Sequence, residues 1–204
     1  MVGNAWTGGY VGIRSRWPAH RPADASEAHL DLRPESRFPM PKLPLADLTD
    51  DARVWVFASD QAVAGENTHR MLAQVDDFLD RWHAHGTPLT SAREWRDDRF
   101  LLIAADGEGA SGCSIDGLFR ALKTLGTEIG ANLVTSGLVF YRDRDAVVQS
   151  VTRPQFSAAA GSGAVTPETP VFDTSLTKLG DLRTRFERPA GESWHAALFP
   201  VTRR

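Results

Sequence analysis

The stretch Arg99-Phe-Leu-Leu-Ile-Ala-Ala-Asp106-Gly-Glu-Gly-Ala-Ser-Gly-Cys-Ser-Ile-Asp116 decides the reading of this chain. Its first part is an apolar run with the length of a buried strand. Its last part opens onto Ile115, Leu118, Phe119, Leu122, Leu125 and Ile129, spaced for one face of a helix. Between them, three glycines and two serines bring backbone N–H groups to a helix N-terminus, where an anion or a thiolate is favoured. The only cysteine of the chain, Cys113, stands in that turn.

Outward from this stretch, the pattern alternates between the periods of strands and helices. Arg53–Ala58 is rich in β-branched and aromatic residues and reads as the first strand. Met71, Leu72, Val75, Phe78, Leu79 and Trp82 form one apolar stripe, which predicts a helix over residues 66–85 that stops at Gly86. Ser91–Arg96 reads as a strand turned by Asp97-Asp98 into the 99–105 strand, and residues 137–141 and 146–151 read as two more. The order strand, helix, strand, strand, helix, strand predicts an α+β fold. Its expected form is the ferredoxin-like βαββαβ arrangement, an antiparallel sheet with two main helices on one face and a C-terminal extension.

Further on, Ser157–Ala164 reads as an Ala/Gly/Ser-rich loop and Pro170–Phe172 as an edge strand. Leu176, Leu179, Leu182 and Phe186 predict a third helix, capped by Asp173, Thr174 or Ser175. Residues 1–39 hold four prolines and five arginines without a sustained period. They read as a disordered region upstream of a natural start at Met40, with a disordered native tail as the alternative and residues 40–199 as the α+β domain.

Charge and motifs narrow the chemistry. A net charge of −3 over 204 residues argues against a nucleic-acid partner, which calls for a concentrated basic face. No apolar run suits a membrane span, and one cysteine excludes an internal disulfide, so the expected location is the cytoplasm. Gly107-Glu-Gly-Ala-Ser-Gly112 fits G-x-G-x-x-G, but an antiparallel arrangement offers no dinucleotide site. No P-loop and no tight metal motif is present, and no cofactor is expected.

Two readings of Cys113 stand side by side. In one, the helix dipole and the N–H groups of the loop hold it as a thiolate, with His195 or a helix-end histidine (His83 or His85) as proton partner and Asp116 one turn on. In the other it is a small buried hydrophobe. Gly109, Ser111, Gly112 and Ser114 are the candidate ligand-binding residues around it, for a small anionic ligand or a partner's carboxylate. A protein partner at the sheet face, a homodimer included, is the expectation by analogy of fold.

Val54-Trp-Val-Phe57, Trp82-His-Ala-His-Gly86, Gly109-Ala-Ser-Gly-Cys-Ser-Ile-Asp116 and Ser193-Trp-His195 together resemble an uncharacterised family of small bacterial cytoplasmic proteins. Its members are often labelled "ABC transporter ATPase". The resemblance covers residues 40–199, supports Met40 as the start, and implies that Ser111, Cys113, Ser114, Asp116 and His195 are the positions to test. It brings no catalytic roles, and an ATPase would lack its phosphate cradle here.

Overall fold

The computed structural model describes residues 43–84, 86–106 and 112–200. The expectations for residues 1–39 and Met40, and those for His85, Gly109 and Ser111, concern positions outside this set. At Ala84, Thr87, Gly112, Cys113 and Ser114 the backbone alone is described.

Strand β5 (Phe100–Ala105) is the centre of the first sheet, flanked antiparallel by β1 (Arg53–Ala58) and β4 (Ser91–Arg96) in the order β1-β5-β4. All six β5 residues are buried, so both faces of the strand need a covering layer. Leu101, Ile103 and Ala105 face α1 (Glu66–Asp80) and α2 (Gly112–Ile129), where Met71, Leu72, Val75, Leu118, Leu122 and Leu125 complete one core. Phe100, Leu102 and Ala104 face the other way, onto a second sheet. The connection from β4 to β5 is tight. Asp97 and Asp98 take φ of 53° and 52°, a conformation that Asp tolerates better than most residues.

That second sheet corrects the ferredoxin-like expectation. The strand expected to close the first sheet, β6 (Leu138–Arg142), instead joins β7 (Val148–Thr152), β8 (Pro170–Phe172) and β9 (Glu187–Pro189) in the antiparallel order β7-β6-β8-β9. The cause is written in β5 itself. A strand apolar on both faces cannot leave one face to water, and Phe100 meets Phe140 on β6, Phe172 on β8 and Phe186. The outer edge of β1 is met by the segment around Lys178: Val54 N donates to Thr177 O and Leu179 N to Ala52 O. The α+β class stands, with two main antiparallel sheets packed face to face.

Alternation carries the layering one step further. Phe140 and Phe172 point toward the first sheet, while Val139 and Val171 point away and form a third core with Phe156, Val165 and Ala190. Helix α3 (Arg153–Gly161) and the 3-10 turns Ala190–Glu192 and Trp194–Leu198 cover that face. The layers therefore run α1/α2, first sheet, second sheet, then α3 with the C-terminal turns.

Several local expectations shift. Helix α1 ends at Asp80 rather than residue 85, and His83–Ala84 (β2) and Thr87–Pro88 (β3) form a two-residue-per-strand hairpin around Gly86 at φ 82°. Trp82, 3% exposed, is drawn into the core there. The loop expected over 157–164 is mostly helix α3. Its start is a capping box: the Thr152 side chain accepts from Gln155 N, and the Gln155 side chain accepts from Thr152 N. Pro170–Phe172 is an internal strand between β6 and β9, and Pro170 occupies its first position, where the missing N–H is tolerated. Helix α4 (Leu179–Arg185) begins after Lys178 without a side-chain cap. Asp173 instead accepts from Ser175 N. Gly180 has a packing reason, since a Cβ there would lie 3.1 Å from the Asp50 side chain.

Candidate functional site at the start of helix α2

Helix α2 begins at Gly112, which makes Cys113 its second residue and Ser114 its third. Ser114 is thus inside the helix, in its first turn. An 18-residue helix leaves its first four N–H groups without intrahelical acceptors and carries a positive partial charge at this end. Asp116, at the fifth position, is exposed.

The packing of α1 against α2 decides what surrounds this end. Asn67 Nδ2 reaches Ile129 O at 3.5 Å and Gln74 Nε2 donates to Glu128 at 3.0 Å, while the Phe78 ring lies 3.9 Å from the Cβ position of Gly117. The two helices are therefore antiparallel, and the C-terminal end of α1 flanks the N-terminal end of α2. Gly117 lies about one turn beyond Cys113 and shares its helical face.

His83 follows that C-terminal end of α1. Its Nδ1 sits 2.7 Å from Arg81 O. A carbonyl only accepts, so Nδ1 carries the proton and Nε2 of the neutral ring is left with a free lone pair. The side chain is exposed.

A cation stands at the start of β1. Arg53 pairs in register with Ala105, the last residue of β5, from which the chain runs toward α2. Its guanidinium lies 5.0 Å above the Trp55 ring and has no carboxylate partner among the described residues. Trp55 packs edge-on to Trp82 at 5.5 Å, and Trp82 contacts Phe78 at 6.0 Å. This aromatic file leads from Arg53 to the first turns of α2. Asp106, where the chain leaves β5, accepts from Thr49 Oγ1 at 3.2 Å.

His195 sits elsewhere. It is fully buried in the third core, with Nδ1 2.9 Å from Ser193 Oγ, its ring stacked 3.7 Å from Trp194 and 5.9 Å from Phe156. Its described partners include no residue of α2. Burial drives its pKa down to about 4; Asp173 opposes that shift and Arg153 adds to it. Of the residues marked in the sequence, the structure gathers Gly112, Cys113, Ser114 and Asp116 on one helix start and leaves His195 in the opposite outer layer, with both sheets between. Arg53 was missed because a strand-initial arginine looks like any solvated charge until its register is known.

Among the described residues no group of three His, Cys, Asp or Glu could hold a metal ion, and no helix is long and apolar enough to cross a membrane. Comparison of the chain with known protein families, with curated proteins and with solved structures found no match.

Proposed function

We propose that the start of α2 is the working end of the molecule and that Cys113 acts there as a thiolate, as the nucleophile of a thiol-dependent enzyme or as a redox-responsive thiol. The observation that carries this reading is the position of Cys113 as the second residue of a long helix, at the end packed beside the C-terminal end of α1, which His83 follows in the chain. Free N–H groups and the dipole favour the sulfur anion. Arg53, without a carboxylate partner among the described residues, stands opposite Ala105, where the chain leaves β5 toward this helix, and is the candidate source of added positive potential. His83, whose Nε2 has no hydrogen-bond partner among the described residues, is the preferred proton acceptor: it takes the thiol proton to give the thiolate, which then attacks an electrophilic carbon and displaces its leaving group, or attacks one sulfur of a disulfide and expels the other as a thiolate. His195 is not assigned this role, because its ring is enclosed in another layer. The resemblance to the family bearing the G-A-S-G-C-S-I-D run includes the same cysteine among five positions to test and brings no catalytic role.

The test is the pH dependence of Cys113 alkylation by iodoacetamide in the folded protein. The expected apparent thiol pKa lies about one unit or more below the reference of about 8.5. His83→Gln should slow alkylation near neutral pH while leaving the unfolding midpoint unchanged. A thiol that titrates at or above the reference value, or reacts only after unfolding, would end the reading.

A second reading draws on Arg53. The same helix end binds a small anionic ligand, a phosphate-bearing molecule or a partner's carboxylate, with the Arg53 guanidinium as counter-charge. Inorganic phosphate that protects Cys113 from alkylation, with protection lost in Arg53→Gln, would favour it. Absence of protection at tens of millimolar phosphate would remove it.

A further inference from the structure

We propose that residues 190–200 form a detachable clasp over the second sheet, and that the clasp stays closed only while the enclosed imidazole of His195 is uncharged. The clasp is independent of the α2 site and lies on the opposite outer layer. Ala190, Leu198 and Phe199 cover Val139, Phe156, Val165 and Val171. His195 is 0% exposed within this cover, and its Nε2 is buried without a hydrogen-bond partner among the described residues.

The hydrogen bonds fix why charge is excluded. Ser193 Oγ accepts from His195 N at 3.2 Å and lies 3.1 Å from Ala190 O and 2.9 Å from His195 Nδ1. Its single proton serves one of the last two. Whichever it serves, Nε2 has no partner. An imidazolium donates from both nitrogens, so protonation would bury an N–H with no acceptor as well as a charge.

The neighbouring charges do not rescue it. Asp173, after β8, is the one carboxylate acting on the ring, and it already accepts from Ser175 N at 3.0 Å and from Trp194 Nε1 at 3.3 Å. Arg153 of α3 lies 5.2 Å from the Trp194 ring and disfavours a positive imidazole. Arg188 of β9 is answered by Glu192 at 3.6 Å. Tyr141 of β6 meets Phe156 rather than the histidine ring.

Opening the clasp returns His195 to water, where its pKa is about 6.5. The enclosed value is about 4. A depressed value means that closure is fully favoured above pH 6.5 and is lost as pH falls from 6.5 toward 4. Between pH 7.5 and pH 5 the equilibrium constant for opening should rise roughly thirty-fold from this one group.

The experiment is amide hydrogen exchange on the full chain at pH 7.5 and pH 5, corrected for intrinsic rates, with low urea added in parallel. Protection over 190–199 should fall about thirty-fold and respond little to urea, whereas β5 should keep higher protection and a urea-dependent exchange characteristic of global unfolding. His195→Phe keeps an aromatic ring against Trp194 and Phe156 and should remove the pH dependence of the segment. Should that variant not fold, the carbon and proton shifts of the His195 ring in the native protein decide the question, because they should stay neutral down to about pH 4. A segment that exchanges only with β5 at both pH values, a ring that titrates near 6.5 in the folded state, or an unchanged pH dependence in His195→Phe would each overturn the clasp.

Discussion

Replacing Phe100 with alanine is the sharpest test of the two-sheet architecture. The side chain is 0% exposed, and its ring lies 5.3 Å from Phe140, 4.6 Å from Phe172 and 5.1 Å from Phe186. Truncating a buried phenylalanine costs about 3–5 kcal/mol. The upper half of that range is expected, because each aromatic pair adds about 0.5–1.5 kcal/mol beyond area and two sheets cannot collapse into the gap. A loss of about 4–5 kcal/mol corresponds to a fall in melting temperature on the order of 10–20 °C for a chain of this size. Urea titration at 25 °C, followed by far-UV circular dichroism, measures it. Phe100→Leu should lose about 1–2 kcal/mol and serves if the alanine variant does not fold. A double-mutant cycle with Phe172→Ala should give a coupling of at least about 0.5 kcal/mol. A loss in Phe100→Ala below about 2 kcal/mol, or no coupling to Phe172, would refute the claim that β5 is clamped between two layers.

Other perturbations probe single joints. Gly126→Ala should destabilise despite the helix-propensity gain of about 1 kcal/mol, because the new Cβ would sit 2.5 Å from Ala131 O; a raised melting temperature would contradict this. Asp76→Ala removes the two hydrogen bonds of 2.7 and 2.6 Å by which this carboxylate holds Arg93, 6% exposed. A cost of about 1.5–3 kcal/mol is expected by chemical denaturation. Thr152→Ala removes the capping box of α3 and should cost about 1 kcal/mol, with Thr152→Ser nearly neutral. Val147→Ala, at a position 53% exposed, should stay within about 0.5 kcal/mol of the parent and marks the baseline.

How far the sequence could be read follows from which signals are local. Both long helices and the strands β1, β4, β5, β6 and β7 announce themselves by period and composition. The Asp97-Asp98 turn was readable because the turn chemistry is carried by the turn residues. Partner choice was not. Whether Leu138–Arg142 closes the first sheet or starts another depends on Phe140 and Phe172 finding Phe100, contacts between residues far apart in the chain. The clue was present in Phe-Leu-Leu-Ile-Ala-Ala, which never alternates and so demands cover on both faces. Helix α3 was hidden by its Ala/Gly/Ser composition, although Thr152-Arg-Pro-Gln155 spells a helix start. At the candidate site, the helix start and its cysteine were legible. That the C-terminal end of α1, which His83 follows, lies beside the start of α2 depends on the antiparallel pairing of the two helices, and the separation of His195 depends on the layer order.

The edge of β1 has a consequence for how the chain is made. The residues that seal it, Thr177 to Leu179, come late in the sequence. A chain emerging from the ribosome completes β5 and can pair it with β1 and β4 while roughly 70 further residues are still to be synthesised, a delay on the order of 4–15 s. Throughout that interval Val54-Trp-Val-Phe57 presents an unsealed strand edge beside an uncovered apolar sheet face. Nascent chains on neighbouring ribosomes could pair through that edge. The period of greatest aggregation hazard therefore falls during synthesis rather than after release, and slowing translation beyond residue 105 should lower soluble yield without altering the stability of the finished protein.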